Sequence, residues 1–335
     1  MKTDIASFYR CPATNERLQL EVRSEVYGRV IEGELRSSRN VYKISAGVPD
    51  LTWPKNLAES DQQTLESYEA IADDYNRYAS LPFETYRASE DDVRNRMIDQ
   101  MEIREDSAVL EIGCGTGRGS RLIADRLSSS GGLFLQEISP RLLQHAQDKL
   151  QDSAPRTEFS VANGSYLPFA DNTFDAAHHW GGINTFSEIG RCLTELARVV
   201  RPGGKVVVGD ESMGEWLRET RYGQIMMNSN PLLKCKIPLA EIPTCAQDVR
   251  VEWIMMNAFW VLEFRVGEGE PEPNYNVEIP SARGGTHWTR YFGNLEGITD
   301  EAKALAYAAQ QKSGVSMHDW LENTVRAAAR VQLSE

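Results

Sequence analysis

Val109-Leu-Glu-Ile-Gly-Cys-Gly-Thr-Gly117 is the stretch that decides the fold of this chain. A short apolar strand runs into glycines at every second position, then into a helical pattern. Glycine at such a bend permits positive φ and lets a ligand come close to the main chain. The spacing excludes the dinucleotide fingerprint G-x-G-x-x-G. Counted from Gly113 it needs glycine at position 118, where Arg118 stands; counted from Gly115 it needs glycine at 120, where Ser120 stands. What fits is Glu-x-Gly-x-Gly-x-Gly. The acidic Glu111 just before the bend suits a ligand with a cationic amino-acid tail better than a pyrophosphate.

Outward from the bend, strands and helices alternate. Downstream, residues 133–138 read as a strand. Residues 139–150 read as a helix, with Ser139 as N-cap and Pro140 in the first turn. Strands follow at 157–162 and 174–179, a helix at 186–200, a turn at Arg201-Pro-Gly-Gly204 and a strand at 205–209. This alternation with short loops predicts a doubly wound, Rossmann-like α/β sheet. Residues 215–228 read as a helix. Two β-rich runs at 249–256 and 258–266, separated by little more than Asn257, complete a seven-stranded sheet, at least one of them antiparallel. Upstream, residues 59–86 are helical, with Leu65, Tyr68, Ile71, Ala72 and Tyr75 on one face until Pro82 breaks the run. A further helix is expected at 91–101. Residues 1–58 alternate with period two between glycines, as a small β-rich unit does. The expected organisation is a β domain at 1–58, a helical cap or linker at 59–104, the core at 105–270 and a helical extension at 271–335.

Composition bounds the function. The chain has 335 residues, 41% apolar and 25% charged, as in ordinary globular proteins. Its net charge of -13 and the absence of a dense Lys/Arg run disfavour nucleic acid as a partner. Cys11, Cys114, Cys192, Cys235 and Cys245 are scattered without a C-x-x-C pair, which reads as reduced thiols. There is no apolar run of about 18 residues, so no membrane insertion is expected. The first residues lack an apolar h-region. The expected setting is the cytoplasm.

Glu137 ends the second core strand, about twenty residues past the glycine bend, where a carboxylate can accept the hydroxyls of a ribose. From here the motifs become specific. Residues 105–210 resemble the core of class I S-adenosylmethionine-dependent methyltransferases. The glycine bend matches their first motif and Gln136-Glu-Ile-Ser139 their second. Asn163-Gly-Ser-Tyr-Leu-Pro-Phe-Ala-Asp-Asn-Thr-Phe-Asp175 is similar to a stretch of the ubiquinone- and menaquinone-type methyltransferases, and Glu195-Leu-Ala-Arg-Val-Val-Arg-Pro-Gly-Gly-Lys205 to their late helix and turn. The resemblance implies S-adenosylmethionine as cofactor, held by Glu111, Gly113, Cys114, Gly115, Gly117, Glu137, Ile138, Asn163, Gly164 and Ser165. Tyr75 resembles the tyrosine that caps the cofactor in this family; its alternative is a core tyrosine. Asn163 departs from the usual aspartate, which accepts from the adenine amine. Asparagine can accept through its amide oxygen, without charge assistance.

Residues 1–58 resemble a small zinc-ribbon-like domain fused ahead of certain methyltransferases, on Tyr9-Arg-Cys-Pro12, Glu32-Gly-Glu-Leu35 and Tyr42-Lys-Ile-Ser-Ala-Gly-Val-Pro-Asp50. The two Cys-Pro-x-Cys knuckles are degenerate, reading Cys11-Pro-Ala-Thr14 and Ser37-Ser-Arg-Asn40. One thiolate cannot hold a tetrahedral zinc, so no metal is expected. If this unit is separate, removing it leaves cofactor binding intact.

Methyl transfer from a sulfonium needs positioning first and a base only where the acceptor must lose a proton early. His178 and His179 follow the fourth strand, on the edge where ligands bind, and are candidates for a base or an acceptor contact. His287, in a polar and aromatic segment, is a third, with a structural loop residue as its alternative. The Asn/Asp-Pro-Pro-Tyr sequence of amino-group DNA methyltransferases is missing after Asp175. The leading expectation is a methyltransferase acting on a small-molecule acceptor, its pocket lined by aromatic residues after Gly209. The others are an RNA or protein methyltransferase, and a cofactor-binding protein without transfer activity.

Overall fold

Period-two alternation becomes visible at once in the N-terminal sheet. The computed structural model describes residues 1–282, 284–295 and 297–334. Strands β1 (Gln19–Val26), β2 (Arg29–Arg36), β3 (Val41–Ser45) and β4 (Val48–Pro49) form an antiparallel meander in chain order. Tyr42 and Ile44 of β3 face inward and Val41, Lys43 and Ser45 outward, as the pleat requires.

The long helical reading of 59–86 resolves into three pieces: α1 (Glu59–Ile71), α2 (Tyr75–Ala79) and α3 (Leu81–Thr85). Pro82 does not only break a helix. It sits in the first turn of α3, where its missing N–H costs nothing. Helix α4 (Glu90–Gln100) follows, N-capped by Ser89.

The core then alternates: β5 (Ala108–Ile112), α5 (Arg118–Ala124), β6 (Gly132–Glu137), α6 (Pro140–Leu150), β7 (Arg156–Val161), β8 (Phe174–Trp180), α7 (Ile189–Val199), β9 (Val200–Glu211), α8 (Arg221–Ser229), β10 (Ala246–Ile254) and β11 (Phe259–Val266). As expected from the sequence, Ser139 caps α6 and Pro140 opens it. The seven strands lie in the order β10-β11-β9-β8-β5-β6-β7. The first five core strands run parallel. β11 is antiparallel to β9, and β10 antiparallel to β11. The order reverses between β5 and β8, and ligands bind at such a switch point, beyond the carboxyl ends of the strands.

Two of the boundaries that differ from the sequence reading have a visible cause. β9 begins at Val200 rather than 205, because Phe174 pairs with Val200 and a register shift absorbs the turn residues that follow. The helix expected at 215–228 is a 3-10 turn at Glu215–Leu217 followed by α8, restarted by the Thr220 cap on the Gly223 N–H.

Met1–Glu270 form one compact unit. The N-terminal sheet shares its core with the large one: Tyr9, Leu35, Tyr42 and Ile44 belong to the same apolar cluster as Phe134, Phe169 and Phe174. Tyr9 stacks on Phe169 with centroids 5.4 Å apart, and Leu51 N–H donates to the Val161 carbonyl at 2.8 Å. In Cys11-Pro-Ala-Thr14, Cys11 is buried with Sγ 3.2 Å from the Tyr42 hydroxyl and 3.6 Å from Asn40 Nδ2. Among the described residues no three His, Cys, Asp or Glu side chains gather as a metal-ligand set.

Pro271–Glu335 form a second unit. It holds α9 (His287–Phe292), α10 (Asp300–Ser313) and α11 (Met317–Leu333), each with a side-chain N-cap, from Thr286, Thr299 and Ser316. Trp288, Phe292 and His318 pack as a ring cluster. Among the described residues no helix is long and apolar enough to cross a membrane.

Candidate functional site

The chain leaves β5 through a bend with φ of +59° at Gly113, +54° at Gly115 and +74° at Gly117. At Gly113 a side chain would also collide, since a Cβ would stand 2.9 Å from the His179 ring. Gly117 does a different task. A Cβ there would lie 3.1 Å from Cα and Cβ of Ala146, so its absence lets α5 and α6 approach. Above the bend, at the carboxyl ends of β5, β6, β7 and β8, lies a narrow crevice. Its floor is Gly113, Gly115, Glu137, Ile138, Asn163 and Gly164; Tyr68 and Tyr75 of the α1–α2 segment and Phe186 beyond β8 wall it.

Glu137 is 4% exposed. Its Oε2 accepts from the Gly115 N–H at 2.8 Å, and its Oε1 from the N–H groups of Ile138 and Ser139 at 2.9 and 3.1 Å. Burial raises its carboxyl above the ordinary range, and these three N–H groups pull it part of the way back. Three of about four lone-pair sites are used, which leaves one for a ligand. Glu137 therefore ties the glycine bend to the end of β6 as well as lining the crevice.

The other sequence candidates divide. Tyr75 lies over Gly115, whose Cβ position would be 3.5 Å from the phenol ring. Glu111 is buried, but its carboxylate accepts from Ser120 Oγ and stands 3.3 Å from His178 Nδ1, and it does not line the crevice. Cys114 is buried within the apolar cluster beneath α5 and α6. Ser165 spends its hydroxyl on the Glu188 carbonyl at 3.1 Å. Asn163 accepts from the Ser165 N–H at 2.9 Å and donates to Asp61 at 3.0 Å, which orients its amide.

The two histidines point to opposite faces of β8, as neighbours in a strand must. His178 goes to Glu111. His179 lines the crevice; its Nδ1 meets the Ile112 carbonyl at 2.8 Å, so Nδ1 carries the proton and Nε2 is an acceptor. Burial pushes its imidazole down to about 4. At neutral pH His179 is a hydrogen-bond acceptor and a weak base. Among the described residues its Nε2 is buried without a partner, as are both amide atoms of Gln136, which also lines the crevice. Buried polar atoms are ordinarily satisfied, so these suit a bound ligand. His287 belongs to the second unit, exposed at the start of α9.

Sequence reading missed Asp61, Tyr68 and Asp210. Asp61 stands four residues before Leu65 and seven before Tyr68, on the face already singled out in that helix, and a carboxylate there was the available signal. Tyr68 was assigned to that face but not to the site. Its ring packs edge-on to Tyr75 at 5.9 Å, and it lines the crevice. Asp210, at the end of β9, accepts from the N–H groups of Asn184 and Glu211, each at 2.7 Å, and burial raises its carboxyl to about 7. It holds the turn 182–185 that closes one side of the crevice. Nothing in its local sequence distinguishes it from a solvated strand-end carboxylate.

Residues 109–204 match the family model described as a methyltransferase domain. They form a class I S-adenosylmethionine-dependent methyltransferase core. The chain is 32% identical over 111 residues to the ubiquinone/menaquinone biosynthesis C-methyltransferase UbiE of Cupriavidus pinatubonensis, covering 33% of this chain and 46% of that protein. It is 29% identical over 161 residues to the demethylmenaquinone methyltransferase of Bacillus licheniformis, covering 48% and 67%. The chain thus spans less than half the length of the first of these relatives. Among solved structures, phosphoethanolamine N-methyltransferase 2 of Haemonchus contortus aligns with a TM-score of 0.49 at 12% identity, over 68% of this chain and 63% of that one. The cofactor of the methyltransferase core is S-adenosylmethionine, and the glycine bend, the Glu137 carboxylate and the unpaired acceptors beside them fit its hydroxyls and cationic tail.

Proposed function

We propose that this chain transfers a methyl group from S-adenosylmethionine to a small-molecule acceptor. The observation that carries the reading is the pairing of Gly115 N–H with Glu137 Oε2 across a crevice walled by Tyr75. In this reading Glu137 takes a ribose hydroxyl, and Ile138, Asn163 and Gly164 hold the base. His179 Nε2 accepts a hydrogen bond, and Tyr75 excludes water. The cofactor supplies an activated methyl on a sulfonium, so the protein's part is to orient and desolvate.

Beyond β8, Trp180 stacks on Phe259 at 5.4 Å, and Phe83, Tyr86, Met213, Leu233 and Met255 form an apolar cluster around them. Phe259 and its neighbours belong to packed core and do not line the crevice, so the pocket expected after Gly209 is not part of it. The Cupriavidus pinatubonensis relative is a ubiquinone/menaquinone biosynthesis C-methyltransferase, which favours a carbon acceptor. The net charge of -13 weighs against RNA. Five free cysteines favour a cytoplasmic setting.

The test is transfer of labelled methyl into cell extract separated into small-molecule, RNA and protein fractions. Label in the small-molecule fraction is expected. Label in RNA or protein refutes the acceptor class. Tight cofactor binding with no label in any fraction makes the chain a binding protein without transfer.

A further inference from the structure

We propose that Asp61 is a selectivity residue of the cofactor site: its carboxylate accepts from the exocyclic amine of the cofactor's purine. This rests on the cofactor reading above.

Asp61 is the one buried residue of α1, 5% exposed, on a helix otherwise facing solvent or half-buried. Among the described residues no Lys, Arg or His pairs with it. A carboxylate is costly to bury unless hydrogen bonds replace its water. Asp61 Oδ1 accepts from the Ser187 N–H at 2.9 Å, and Oδ2 accepts from Ser187 Oγ at 2.7 Å and Asn163 Nδ2 at 3.0 Å. Three of about four lone-pair sites are filled, and the remaining one is on Oδ1. The residue lines the same crevice as Glu137.

Ile138, Leu142, Ala162 and Phe186 line the same crevice and offer apolar surfaces to a base. With the ribose on Glu137 at the end of β6, the base lies toward the neighbouring strand β7, whose end carries Ala162, Asn163 and Gly164. Adenine has one strong donor group on its exposed edge, the amine. Asn163, the residue the sequence nominated as its acceptor, is committed to Ser165 N–H and to Asp61. Its oxygen keeps a lone pair but no charge. The ionised acceptor is Asp61, and a charged acceptor makes the stronger bond. The carboxylate comes to the crevice from the covering helix instead of from the strand end.

Calorimetry with S-adenosylhomocysteine and S-inosylhomocysteine tests this, because the second ligand carries a carbonyl oxygen in place of the amine. The wild-type chain is expected to prefer the adenosyl ligand by about tenfold or more, the size of a charge-assisted hydrogen bond. In Asp61→Asn the preference is expected to fall to about threefold or less. A wild-type ratio near one overturns the assignment before any variant is made. So does an Asp61→Asn variant that weakens both ligands equally, or one that keeps the wild-type preference. If the wild-type chain binds neither ligand, the cofactor reading itself falls.

Discussion

Glu137 shows how one side chain can serve both architecture and chemistry. Its carboxylate holds the N–H groups of Gly115, Ile138 and Ser139, so the bend is shaped before any ligand arrives. Preorganisation of this kind lowers the ordering cost of binding. Glu137→Ala is expected to weaken S-adenosylhomocysteine binding by about ten- to a hundredfold, since hydrogen bonds to a charged group are worth about 1.5–3 kcal/mol. Calorimetry checks it; unchanged affinity would remove the ribose from Glu137. The sequence exposed Glu137 by its distance from the glycines. It could not separate His178 from His179, because two adjacent histidines on a strand look alike until the sheet assigns each a face. Only the fold sends His178 to Glu111 and His179 to the crevice.

Elements were read more securely than their joints. The strand-helix alternation, the Ser139 cap and the seven strands all followed from pattern, because apolar periodicity reports which face is buried. The breaks between α1, α2 and α3, and the long β9, depend on contacts with other segments. The N-terminal sheet was also read correctly as β-rich, yet its core was not visible, since Tyr9 and Phe169 are far apart in sequence. With Tyr9 1% exposed and stacked on Phe169, the small sheet covers part of the large one. Tyr9→Ala is expected to cost about 3–5 kcal/mol in denaturant unfolding. Removing residues 1–58 is expected to abolish soluble protein. A soluble truncated chain with normal cofactor binding would show that the meander folds independently.

Over the whole molecule, two buried groups at the ends of neighbouring strands tilt stability with pH in opposite senses. Asp210 rises from 3.8 to about 7 on folding, so its contribution is fully present below 3.8 and lost as pH climbs toward 7. His179 falls from 6.5 to about 4, so its contribution is present above 6.5 and lost as pH drops toward 4. Each pKa unit corresponds to about 1.4 kcal/mol, and the two slopes offset between pH 4 and 6.5. Asp210→Asn is expected to leave stability rising with pH across that window, and His179→Gln to leave it falling. Urea midpoints at several pH values decide this; parallel profiles for both variants would refute it. The sequence by itself determined the bend, the alternation and the carboxylate of Glu137 at the end of the second core strand, because local spacing dictates backbone conformation and which face an element buries. Tertiary structure alone decided which histidine enters the crevice, that a carboxylate from a covering helix joins it, and that the first sheet is part of the core. Those outcomes depend on segments distant in the chain meeting in space, and periodicity within one segment carries no record of its partners.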